Sequence, residues 1–114
     1  MYIWTHFVQT MISSKTFGET IKNLREEKGL TLQQVAGHLK MDVSLLAKIE
    51  KNNRNASSQL IQKIAKFFNV DSKGLKIARL SDKVAYEVLE KEDYAEEVLK
   101  VAEKKVKYSR NKPS

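Results

Sequence analysis

The 114-residue sequence has no cysteine, one proline, four glycines and two histidines. Without thiols there is no disulfide, no cysteine nucleophile and no thiolate metal site, which suits a reducing, cytoplasmic setting. Few chain breakers, with 41% hydrophobic and 31% charged residues, favour helices and permit a modest core. No run approaches the ~18 apolar residues of a membrane span. Met1–Ile12 is apolar, but it lacks a basic start and His6 interrupts it, so it does not read as a signal peptide. Neither His6 nor His38 has a second ligand near it in sequence. There is no glycine-rich phosphate loop and no serine with an evident base. These absences argue against an enzyme, a cofactor and a metal site. The acidic residues between 87 and 97 read as a solvated helix face.

Positive charge is what the chain has in surplus. Lys and Arg number 21 against 14 Asp and Glu, a net charge of +7. Such a balance points to nucleic acid or an anionic membrane surface. A membrane-binding helix needs a large apolar face flanked by lysines. Residues 98–108 come nearest and fall short, so double-stranded DNA is the expected partner and a membrane is not.

Residues 1–14 carry Tyr2, Ile3, Trp4, Phe7, Val8 and Ile12 with no helical period. They read as an N-terminal arm, either disordered or packed on a dimer partner. A helix is predicted from about Phe17 to Lys28, because Phe17, Ile21 and Leu24 share one face and Gly29 supplies a stop. Thr31 opens a second helix with Gln34 completing a capping box, and Val35, Ala36 and Leu39 form its stripe. After Lys40-Met41-Asp42, with Asp42 as cap, a third helix is expected over Val43 to Asn52, burying Leu46 and Ile49. The polar run from Asn52 to Ala56 reads as a loop. Ser57 caps a fourth helix with Leu60, Ile61, Ile64, Ala65 and Phe68 on its apolar face. Asn69 ends it, and Asp71 caps a short fifth helix through Leu75 and Ile77. The expected core is Ile21, Leu24, Val35, Ala36, Leu39, Leu46, Ile49, Ile64 and Phe68.

Two short helices joined by a tight break, the second and third of this series, form the arrangement that sets a helix into the major groove of DNA. The carrying residues are Phe17-Gly18-Glu19-Thr20-Ile21-Lys22-Asn23-Leu24-Arg25, Gly29-Leu30-Thr31, Val35-Ala36, Leu46-Ala47-Lys48-Ile49-Glu50, Arg54-Asn55-Ala56-Ser57 and Lys63-Ile64-Ala65. Over residues 15–77 they resemble the phage-repressor and Cro type, the Xre family, of helix-turn-helix regulators. The resemblance implies an all-α, five-helix phage-repressor-like domain over 15–78, and the rest of the chain, 79–114, is expected to be a C-terminal helical extension. It implies base contacts from Val43, Ser44, Ala47 and Lys48. The chemistry agrees: Lys48 donates to guanine, Ser44 bonds either way, and Val43 and Ala47 suit a thymine methyl. Phosphate contacts are assigned to Gln33, Lys40, Lys51, Asn53, Arg54 and Asn55. Arg25 and Glu50 match a pair that links the first and third helices in the family, and a guanidinium fits a carboxylate bidentately. The sequence departs from the family where Leu32 replaces a helix-opening glutamine, Lys40 a glycine and Ala56 a proline.

From about Arg79 the composition changes. Residues 82–97 carry a net charge of −5 and residues 98–112 a net of +5. Two further helices are expected, broken near Glu92-Asp93, with stripes at Val84, Val88 and Leu89 and at Ala95, Val98, Leu99, Ala102 and Val106. The function expected is a sequence-specific DNA-binding transcriptional regulator, a repressor, dimerising through the extension. The alternatives are an antitoxin-type protein that binds a toxin through that extension and represses its own promoter, or the controller of a restriction-modification system.

Overall fold

A computed structural model describes residues 15–90 and 92–111. The arm expected at residues 1–14, with Trp4 and Phe7, lies outside the described residues. Among these, six α-helices follow one another: α1 (Phe17–Glu27), α2 (Leu32–Leu39), α3 (Val43–Glu50), α4 (Ser58–Phe68), α5 (Ser72–Leu89) and α6 (Ala95–Asn111), with a 3-10 turn at Glu92–Tyr94 before α6. There is no strand among the described residues. The fold is all-α, the class the composition favours.

The starts of the helices follow the capping residues. Thr16 and Thr31 both build full capping boxes, with Glu19 and Gln34. The backbone N–H and the hydroxyl of Thr16 donate to the Glu19 carboxylate and hold its pKa below the ordinary carboxylate value. Ser57 accepts from the Leu60 N–H, and Asp71 from the Lys73 N–H. Asp42 stands at the N-cap of α3, but its side chain makes no capping bond, contrary to expectation.

The ends of the first four helices share one device. Gly29, Lys40, Asn52 and Asn69 all have positive φ, between 55° and 68°. In each case the next N–H reaches back across the last turn: Leu30 to Arg25, Met41 to Ala36, Asn53 to Lys48 and Val70 to Ala65, at 2.8–3.1 Å. This is the Schellman closure, in which a left-handed residue satisfies orphan carbonyls. It corrects the end of α3, which stops at Glu50 rather than Asn52, because Asn52 takes the left-handed turn. Leu30, Met41 and Val70, the residues after three of these turns, pack on the core.

One compact unit ends at Asp82 and a second begins at Lys83. In the first, α1 and α2 pack on α3, and α2 also meets α4. Ile21, Val35, Leu46, Ile49, Ile61, Ile64 and Leu75 are fully buried. Of the expected core only Leu24 is partly exposed, though it still packs on the others. The fifth helix is not short. It runs on to Leu89, because nothing between Gly74 and Leu89 breaks a helix and the change of composition at Arg79 alters only its surface. Its middle closes the first unit. Arg79 donates to the Ala56 carbonyl at 2.6 Å, and the Asp82 carboxylate accepts from the Phe17 N–H at 2.7 Å.

The second unit holds the end of α5, the 3-10 turn and α6. No residue of α6 is buried. No helix among the described residues is long and apolar enough to cross a membrane.

Candidate nucleic-acid interface

α3 is buried on one side only. Leu46, Ile49 and Glu50 face inward. Val43, Ser44 and Lys48 are exposed and Ala47 is half-buried. These four positions recur at i, i+1, i+4 and i+5, which places them on one helical face. With its side chains a helix is about 10–12 Å across, which a major groove about 12 Å wide admits.

The turn that sets α3 against α2 is built by Lys40. Its left-handed backbone costs on the order of 1 kcal/mol for a side-chain-bearing residue, and the two reach-back bonds at this turn offset it. Its side chain is exposed. Gln33 is exposed at the second position of α2. Leu32, in the place where the resemblance expects glutamine, packs on the core. Gln34 is occupied by its capping box, which leaves Gln33 as the outward amide of that turn. Lys51, Asn53, Arg54 and Asn55 are exposed along the segment leaving α3, while Ala56 beside them is buried.

Arg25 and Glu50 hold α1 to the end of α3. Nε donates to one carboxylate oxygen at 2.8 Å and Nη2 to the other at 3.0 Å, while Nη1 reaches the Leu30 carbonyl at 2.9 Å. The side chains are 12% and 5% exposed. The hydrogen bonds to Glu50 raise the pKa of the guanidinium above its ordinary value. The pair therefore fixes the frame of α3 from behind.

Three positioning residues escaped sequence reasoning. Asn52 accepts from the Gly18 N–H at 3.0 Å and donates to the Thr16 hydroxyl at 2.8 Å, tying the end of α3 to the start of α1. Its only local signal was an asparagine just past a helix, which favours a left-handed terminus. Arg79 and Asp82 act across 23 and 65 residues, distances at which no spacing pattern exists to be read. Together Asp82, Asn52 and Thr16 take the first three N–H groups of α1. The start of α3 has no such side-chain cap and faces outward.

His38 is exposed, its ring 5.1 Å from that of Phe67. Among the described residues no three His, Cys, Asp or Glu side chains gather where a metal ion would sit.

No curated protein and no solved structure matches the chain significantly. A family model, the helix-turn-helix domain, matches residues 18–83, from the second residue of α1 through α4 and into α5 as far as the residue after Asp82. A half-buried α3 set by a tight turn against α2, within a match covering more than half of the sequence, places this chain in the helix-turn-helix domain family of DNA-binding regulators.

Proposed function

We propose that this chain is a sequence-specific transcriptional repressor of the phage-repressor type, acting in the cytoplasm as a homodimer on a two-fold DNA site. One observation carries the reading: α3 buries Leu46 and Ile49 and turns Val43, Ser44, Ala47 and Lys48 outward on a single face. Lys48 donates to guanine O6 or N7, Ser44 bonds a base edge, and Val43 and Ala47 meet a thymine methyl. Gln33, Lys40, Lys51, Asn53, Arg54 and Asn55 rim that face and take phosphates, which set register without reading sequence. Repression follows from occupying the site. A single helix-turn-helix reads few base pairs, and two half-sites about one helical turn apart give a usable address.

The test is affinity across a panel of duplexes selected from random sequence. Lys48→Ala is expected to cost ~1–3 kcal/mol and to relax preference at one base pair. Arg54→Ala is expected to weaken all duplexes alike and to lower the salt slope by about one. Equal losses on every duplex for Lys48→Ala would move the recognition surface off α3.

A further inference from the structure

α6 is divided lengthwise into two faces. With 3.6 residues per turn, Ala95, Val98, Leu99, Val101, Ala102 and Val106 fall on one half of the cylinder, with Lys105 between Val98 and Val101, Ser109 beside Val98 and Tyr94 of the preceding turn in line with them. Glu96, Glu97, Lys100, Glu103, Lys104, Lys107 and Arg110 take the other half or its borders. Tyr94, Val98, Val101 and Ala102 form the bed of a shallow groove, and Glu97 and Lys105 also line it. Val98 is 38% exposed, Val101 50% and Val106 58%, high values for aliphatic side chains on a shared face.

The charge along α6 says what fits there. Both acids of its first turn, Glu96 and Glu97, lie near its start. From Lys100 onward the helix carries Lys100, Lys104, Lys105, Lys107 and Arg110 against Glu103 alone. Glu103 is already engaged by Lys107 at 3.0 Å on the charged side. A second copy laid parallel sets acid on acid and base on base. A second copy laid antiparallel sets each acidic start on a basic end. Glu97 and Lys105 stand four residues before and four after Val101. A two-fold axis beside Val101 therefore brings Glu97 of each copy level with Lys105 of the other, and both line the apolar bed across which their side chains would reach.

We infer that α6 is a self-recognition surface: two copies of this chain pair α6 antiparallel about Val101, with Glu97 meeting Lys105 of the second copy at both ends of the groove. This rests on the homodimer reading above and specifies the contact that makes it.

The test uses the full chain in sedimentation equilibrium, with circular dichroism to verify helix content. The unaltered protein is expected to be a dimer at micromolar concentration. Glu97→Lys and Lys105→Glu each turn both ion pairs into repulsions and are expected to weaken the dimer about tenfold or more. The double variant E97K/K105E restores both pairs, and its affinity is expected to return close to that of the unaltered chain. Because the sequence has no cysteine, Val101→Cys gives a second, independent readout. It is expected to form a covalent dimer on mild oxidation. Val98→Cys is expected not to, since its two copies stand about 9 Å apart along the axis, beyond disulfide reach. If the chain dimerises but the single swaps change nothing, the double fails to restore, or Val98→Cys cross-links as well as Val101→Cys, the antiparallel pairing is wrong while the homodimer reading stands. A full chain that stays monomeric at micromolar concentration overturns both.

Discussion

Arg25 and Glu50 lie almost wholly out of solvent, so each is costly without the other. Replacing Arg25 by alanine leaves a buried carboxylate with neither of its donors. The expected loss is ~3–5 kcal/mol of folding stability, measured by urea denaturation. Arg25→Lys keeps the charge but not the planar fork that spans both oxygens, and is expected to fall between the two. A loss below ~1 kcal/mol for the alanine variant would mean that the pair behaves like a solvated surface contact. At this scale legibility was uneven. The resemblance suggested this pair, and charge spacing alone would not have found it across 25 residues. Asn52 looked like one of several polar loop residues. Its two bonds to the start of α1 depend on where α1 comes to rest, which no local pattern encodes.

The closeness of α1 and α3 is set by a glycine. A Cβ on Gly18 would lie 2.5 Å from the carbonyl oxygens of both Ile49 and Glu50. Those oxygens belong to backbone that cannot step aside as a side chain would. Gly18→Ala is therefore expected to push α1 outward and cost ~1–3 kcal/mol, despite alanine's better helix propensity. A melting temperature equal to or above that of the unaltered chain would show that the two helices separate freely. Helix starts and apolar faces were legible in the sequence, because caps and 3.6-residue periods are local signals. Two boundaries were not. α3 ends early because an asparagine takes a left-handed turn, and α5 runs late because a change of charge is not a stop signal.

Over the whole chain, positive charge is concentrated in the first unit. Residues 1–82 hold 13 Lys and Arg against 7 Asp and Glu, a net of +6; residues 83–114 hold 8 against 7, a net of +1. Long-range attraction to DNA thus belongs to the helix-turn-helix unit, and the nearly neutral remainder suits contact with protein. Deleting residues 83–114 retains Asp82 and the family match up to its final residue. The deleted chain is expected to fold, to sediment as a monomer and to bind a palindromic site 10²–10⁴-fold more weakly, on the order expected for loss of a linked second module. A truncated chain that remains a dimer would assign dimerisation to the first unit. The composition shifts at Arg79, whereas the compact unit extends to Asp82, because Arg79 and Asp82 both reach back into it.

The bond from the Phe17 N–H to Asp82 spans 65 residues of sequence, whereas the other ties of the first unit join segments closer along the chain. Closing so long a loop costs more entropy than closing the shorter ones, so this contact is expected to form after the rate-limiting step of folding. Its contribution then appears in the lifetime of the native state. Asp82→Ala, removing a cap worth about 1 kcal/mol, is expected to speed unfolding about fivefold in stopped-flow experiments and to leave the refolding rate unchanged. That outcome would make Asp82 a late latch, governing how long α1 and α3 stay in place once the unit has closed around them.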